Sequence, residues 1–206
     1  MIDPKDLPAP CFERADPTND ALFYLQPRKV VHIDGPAIAS LTGFLSNHLK
    51  PGGVYLDLMS SWRSHLPSDL NPARVVGLGM NAEEMEDNPQ LDEWLVHNLN
   101  ATLRLPFDDQ TFDAAICTVS VQYMTRPIDI FRDVNRILKP GAPCIVSFSN
   151  RCFAQKAIAL WLAMTDAQHI ELVKSYFIDN WDKVQTWDHL AQNTDPLFIV
   201  WANRST

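Results

Sequence analysis

The chain has 206 residues, 46% of them apolar, and its 25 acidic residues outnumber 17 basic ones for a net charge of −8. That length and apolar share suit one packed domain with a sizeable core and exclude a disordered chain. The acidic balance, with no Lys/Arg cluster to override it, excludes nucleic acid as a partner, and the longest apolar run, Ala157 to Met164, is far too short to cross a bilayer, which excludes a membrane partner.

The opening stretch MIDPKDLPAP is polar and proline-rich, unlike a signal peptide. The first 20 residues are expected to lie extended on the surface. Asp34-Gly35-Pro36 reads as a helix start, with Asp34 as N-cap and Pro36 in the first turn. Ile38, Leu41, Leu45 and Leu49 follow at helical spacing, and Pro51-Gly52-Gly53 stops the helix. Strands and helices then alternate. VYLDLM (54–59), ARVVGLGM (73–80), EWLVHNLN (93–100), FDAAICTVS (112–120) and APCIVSFSN (142–150) read as five strands. Between the last two lies a helix with Ile128, Phe131, Val134 and Leu138 on one face, ended by Lys139-Pro140-Gly141. Such alternation predicts parallel βαβ units in a doubly wound α/β sheet. A long helical region over 153–176 follows, then two short strands, 183–187 and 197–203. The four cysteines, Cys11, Cys117, Cys144 and Cys152, form no CxxC pair and read as free thiols in a reducing, cytoplasmic setting.

Several chemistries lack their residues. The six histidines pair with no other His or Cys at metal spacing, so no metal site is expected. Neither a Gly-x-Ser-x-Gly elbow nor a phosphate-binding Gly-x-x-x-x-Gly-Lys-Ser/Thr loop occurs. A nicotinamide dehydrogenase fits poorly, because its glycine fingerprint is missing too.

One long segment, LPFDDQTFDAAICTVSVQYMTRPIDIFRDVNRILKPGAPCIVSF, carries in order a loop, a strand, a helix and the RILKPG turn. It resembles the class I S-adenosylmethionine-dependent methyltransferases, in particular the small-molecule branch called type 11. The resemblance runs from about Pro51 to Asn150, and PRKVVHID and SFSNRCF look like one subgroup of that family. It implies a Rossmann-like, three-layer α/β/α fold around a seven-stranded sheet with an antiparallel edge strand. It also implies one domain: an N-terminal extension and cap helix (1–50), a cofactor-binding core (51–150), and a C-terminal helix with edge strands (151–206). The implied cofactor is S-adenosylmethionine, held at the carboxyl ends of the first four strands, where ligands of open α/β sheets bind.

Four positions carry that expectation. The opening turn, usually Asp/Glu-x-Gly-x-Gly-x-Gly in the family, is Asp57-Leu58-Met59-Ser60-Ser61-Trp62-Arg63 here. Asp57 stands at its place, while Met59, Ser61 and Arg63 replace glycines. One non-glycine residue in a left-handed conformation costs roughly 1 kcal/mol. Ser60 and Ser61 either donate to the cofactor's carboxylate or cap a following helix. At the end of the second strand the family's ribose-binding acid is matched by Gly79, followed by Met80 and Asn81; Asn81 reads best as an N-cap, with Glu84 completing a capping box. An aspartate introduced at Gly79 is expected to tighten binding if it reaches the ribose. Asn100-Ala101 matches an Asp-Ala pair that contacts adenine, with a turn role for Asn100 as the plain alternative. Thr118 and Val119, with Gln122 and Tyr123 beyond them, would face the transferring methyl; Gln122 and Tyr123 are the catalytic candidates.

Two functions from different classes fit these residues. One is a methyltransferase acting on a small molecule that would lie near Tyr24, Arg28 and His32 and near His169 and Tyr176, with His65 close to the cofactor. The other is a non-catalytic relative that serves as a binding or scaffold protein.

Overall fold

The computed structural model describes residues 7–206. Its centre is a seven-stranded sheet: β1 Val54–Ser60, β2 Arg74–Gly79, β3 Glu93–Val96, β4 Ala114–Thr118, β5 Pro143–Phe148, β6 Gln185–His189 and β7 Leu197–Asn203. The strand order is β3-β2-β1-β4-β5-β7-β6. The first five strands run parallel, and β7 pairs antiparallel with both β5 and β6. The expected Rossmann-like sheet with an antiparallel strand at one edge is therefore present. The order reverses beside β1, so the connections leaving the adjacent strands β1 and β4 run to opposite sides and leave a crevice at their carboxyl ends.

Alternation along the strands builds two apolar layers. Leu56, Leu58, Val76, Leu78, Ala115, Cys117, Val146 and Phe198 face one way, onto α4 (Pro127–Ile137), α5 (Ala159–Ala163) and α6 (Asp166–Tyr176). Tyr55, Val75, Ala114, Ile116, Ile145 and Ile199 face the other way, onto α2 (Gly35–His48). The predicted start of α2 is observed: the Asp34 carboxylate accepts from the Ala37 N–H at 2.9 Å. Leu41 and Leu45 are fully buried, each contributing about 1.5–3 kcal/mol. The stop is observed as well, with Gly52 at φ 76°, a conformation glycine adopts without strain.

Three expectations are corrected. Of the first 20 residues, 1–6 lie outside the described ones, and 7–20 are not simply extended on the surface: Ala9–Phe12 forms a 3-10 turn, and Asp20, which opens the short α1 (Asp20–Phe23), is buried. The helical region over 153–176 is two helices, because Thr165 and Gln168 form a capping box that starts α6 anew. The third strand stops at Val96 rather than Asn100, because the Asn98 side chain accepts from the Asn100 N–H and folds the chain into a turn. The connection from β1 to β2 contains no helix, while β2 leads to β3 through the five-residue α3 (Ala82–Glu86). Among the described residues no helix is long and apolar enough to cross a membrane.

Candidate functional site

At the carboxyl ends of β1, β2 and β4 lies a cleft of about 110 Å³. It is lined by the apolar Met59, Leu78, Leu99 and Val119 and by the polar Asp57, Ser61, Asn81, Glu84, Asn100 and Thr118. Among the described residues no group of three His, Cys, Asp or Glu side chains is arranged to hold a metal ion.

The opening turn keeps a tight path without glycine. Met59 takes φ 60°, and the pairing slips there, so that Ser60 rather than Met59 stands opposite Gly79. The Ser60 and Ser64 hydroxyls each donate to Asp57 Oδ2 at 2.6 Å. Burial pushes the Asp57 carboxyl up to about 6, against the pull of those two hydrogen bonds. Among the described residues Oδ1 receives no hydrogen bond. Ser61 donates to Glu84 Oε2 at 2.6 Å. Both serine hydroxyls thus serve carboxylates of the protein, and no helix follows for either to cap.

Position 79 cannot carry the acid that a strand end of this kind would use. A Cβ there would sit 2.2 Å from the Ser60 carbonyl oxygen and 2.9 Å from Met85 Sδ. The slipped pairing brings the Ser60 backbone in, so Gly79→Asp is excluded as a rescue. Met80 lines the cleft. Asn81 is the N-cap of α3: its Oδ1 accepts from the Glu84 N–H at 3.0 Å. The other half of the capping box does not form, because Glu84 turns its carboxylate to Ser61 and to the Arg28 N–H.

Asn100 borders the cleft with its side chain fully engaged. Its Nδ2 donates to Asp20 Oδ2 and to the Tyr123 carbonyl, each at 3.0 Å. Its Oδ1 accepts from the Thr125 N–H at 2.9 Å and from the Thr125 hydroxyl at 3.0 Å. Asn100 does sit in a turn, as its plain reading has it, and its side chain clasps α1 to the segment after β4. Ala101 is exposed and lies outside the cleft.

At the end of β4, Thr118 Oγ1 is buried without a hydrogen-bond partner among the described residues. Val119 follows at φ 50°, a strained conformation for a β-branched side chain. The two catalytic candidates part company. Tyr123 borders the cleft; its hydroxyl accepts from the Phe153 N–H at 2.9 Å, and burial pushes it up to about 12. Gln122 is buried behind Val119, donating to the Val119 carbonyl at 2.9 Å, and does not reach the cleft.

A segment of the N-terminal region closes the cleft. The Tyr24 and Leu25 carbonyls accept from Asn81 Nδ2 at 2.8 and 3.3 Å. The Arg28 N–H donates to Glu84 Oε1 at 2.5 Å, and Trp62 Nε1 donates to the Val30 carbonyl at 2.9 Å. Tyr24, Arg28, His32 and His65 do line the cleft. His169 and Tyr176 do not: both are buried on α6, His169 stacked 3.9 Å from Trp161 and Tyr176 against Phe131. Sequence reasoning missed Ser64, Asp20 and Arg14 here and gave Glu84 only a capping role. The i, i+3 spacing of Asn81 and Glu84 favours that cap, and nothing local announces a long-range partner.

With this geometry in place, a family model described as a methyltransferase domain matches residues 61–146. Over those residues the chain is similar to methyltransferase domains. Among curated proteins it is 31% identical over 93 residues to the mitochondrial 2-methoxy-6-polyprenyl-1,4-benzoquinol methylase of Caenorhabditis elegans, covering 44% of this chain and 32% of that protein. It is 24% identical over 67 residues to a malonyl-[acyl-carrier protein] O-methyltransferase of Marinomonas, covering 32% of this chain and 25% of that protein. These matches span a quarter to a third of the relatives' own lengths. Among solved structures, an S-adenosylmethionine-dependent methyltransferase from Aquifex aeolicus superimposes with a TM-score of 0.56 at 15% identity, over 83% of this chain and 98% of that one. That likeness is one of fold.

Proposed function

We propose that this protein binds S-adenosylmethionine in the cleft over β1, β2 and β4 and transfers its methyl group to a small molecule. The observation that carries the reading is the junction of the adjacent strands β1 and β4. Met59 and Val119 hold left-handed conformations there without being glycine, beside a buried carboxyl and an unpartnered hydroxyl. Backbone strain and orphaned polar atoms gather where a ligand completes the structure.

The residues fit that cofactor at two of its parts. Asp57 Oδ1 is free to accept from the amino group, and the Thr118 hydroxyl is free to bond the same end. Met59, Leu78, Leu99 and Val119 offer an apolar bed for a purine. The cleft is narrower than the roughly 300–1,000 Å³ of most small-molecule sites, and the Tyr24–Val30 segment is what narrows it. When bound, S-adenosylmethionine would supply an electrophilic methyl, which an aligned nucleophile would take as the thioether S-adenosylhomocysteine leaves.

The chain's own residues then need only align and dry the acceptor. Tyr123 stays protonated at neutral pH, so it orients by hydrogen bonding and is no base. His32 stacks edge-on against Phe153 at 5.1 Å, and burial holds it below the usual histidine range. A neutral imidazole at the rim can accept a proton that an acceptor hydroxyl loses.

A second reading, a non-catalytic binding protein, draws on the blocked position 79 and on the closed cleft. Calorimetric titration with S-adenosylmethionine and S-adenosylhomocysteine tests both. Binding in the range of about 10–500 μM is expected, on the order of 5–7 kcal/mol. No heat from either ligand at millimolar concentration overturns the methyltransferase reading; binding without transfer to any small acceptor favours the second.

A further inference from the structure

The segment that closes the cleft is fastened in an unusual way. Leu22 and Leu25 are 69% and 67% exposed, and Val30 and Val31 are about half exposed. Its apolar side chains therefore face outward, while its backbone carbonyls and one backbone N–H are given to Asn81, Trp62 and Glu84 on the cleft rim. Lys29 adds exposed ion pairs with Glu83 and Asp87, which are worth little, and Tyr24 is half-buried against Phe23; a segment so fastened, with four exposed apolar side chains, belongs to the low-stability end of a fold. Of those partners Asn81 and Glu84 line the cleft with polar side chains, so a polar ligand there would compete for them.

Glu84 is the decisive member. It is buried, lines the cleft, and sits one turn beyond Gly79, where no acid can be placed. Its two carboxylate oxygens accept from two donors of separate origin, the Ser61 hydroxyl at 2.6 Å and the Arg28 N–H at 2.5 Å. Two O–H donors side by side are what a vicinal diol presents. We propose that Glu84 is the acid that grips the ribose diol of an adenosyl ligand, and that the Arg28 N–H holds its place until the ligand displaces the Tyr24–Val30 strap. This rests on the cofactor reading above. It moves the ribose contact from a strand end to the first turn of α3, and it couples ligand entry to release of the strap.

The test uses the full-length protein and calorimetry with S-adenosylhomocysteine and its 2′,3′-dideoxy analogue. Wild type prefers the diol-bearing ligand by about ten-fold or more, as expected for hydrogen bonds to a charged group. Glu84→Gln removes that preference, while affinity for the dideoxy analogue stays within about three-fold. A merely structural Glu84 would weaken both ligands alike. Arg28→Pro deletes the competing N–H, and Arg28→Ala keeps it. Arg28→Pro is expected to bind S-adenosylhomocysteine several-fold more tightly than Arg28→Ala, and hydrogen exchange over residues 24–30 is expected to rise when ligand is added to wild type. If S-adenosylhomocysteine binds but Glu84→Gln loses both ligands equally, or the two Arg28 variants bind alike, Glu84 has no such role and the cofactor reading stands. If S-adenosylhomocysteine binds neither wild type nor Arg28→Pro, both fall together.

Discussion

Ser60 and Gly79 stand opposite each other on β1 and β2, and the Ser60 carbonyl oxygen fills the space a side chain at 79 would need. The glycine is there for the neighbouring backbone, not for its own torsion angles. A contact of 2.2 Å to a backbone oxygen cannot be relieved by rotating a side chain. Gly79→Ala is expected to destabilise by about 1–3 kcal/mol, the range for overpacking, and Gly79→Asp by more. Denaturant midpoints measure this. A Gly79→Asp protein as stable as wild type would show that the slipped register is wrong.

The four hydrogen bonds of Asn100 give a second prediction. Asn100→Asp keeps the shape but deletes both Nδ2 donors, leaving Asp20 Oδ2 and the Tyr123 carbonyl unpaired by this side chain. A loss of about 1–3 kcal/mol is expected, together with faster hydrogen exchange in α1. Unchanged stability would remove Asn100 as the clasp.

Much of the fold was legible because its signals are local. Asp34 and Pro36 start α2, RILKPG ends α4, and continuous apolar runs mark β4, β5 and β7. The break before Thr165 was missed, although Thr165-Asp166-Ala167-Gln168 has the spacing of a capping box. The site was less legible. Asp57, Met59, Ser60, Ser61, Gly79, Met80, Asn81, Asn100, Thr118, Val119 and Tyr123 do meet at one cleft, as their places on the strand ends require. Their bonding partners lie elsewhere in the chain. Glu84 meets Arg28 across 56 residues, and Asn100 meets Asp20 across 80. No periodicity encodes such pairs.

Lys156 anchors the strap's other end. Its side chain is fully buried, donating to the Thr18 carbonyl at 2.8 Å and pairing with Asp16 at 3.0 Å and with Asp20 at 3.4 Å. Lys156→Met leaves the buried Asp20 with Arg14 as its one remaining cation among the described residues. Breaking a buried pair from one side costs about 3 kcal/mol or more. Thermal unfolding should show the loss, and proteolysis should cut first near residues 14–20. A fully stable Lys156→Met protein would mean that Arg14 suffices.

Asp57 supplies the last prediction, one in which stability and binding move in opposite directions. Its carboxyl titrates near 6 in the folded protein, against an ordinary value of 3.8. Between about pH 4 and pH 6 the folded state therefore holds a proton that the unfolded state has lost. Stability from this group falls as pH rises through that window, at about 1.4 kcal/mol per pH unit. Asp57→Asn removes the titration while its amide oxygen still accepts from Ser60 and Ser64. The variant should exceed wild type in stability by up to about 3 kcal/mol at pH 7, with the advantage vanishing near pH 4. It should also lose affinity for S-adenosylmethionine, because a neutral amide no longer attracts the amino group, and wild-type binding should weaken below pH 6 for the same reason. Denaturant unfolding of both proteins from pH 4 to pH 8, paired with calorimetry, measures the two effects. A stability difference that does not change with pH would show that Asp57 is not the buried, proton-holding carboxyl that the cleft geometry makes it.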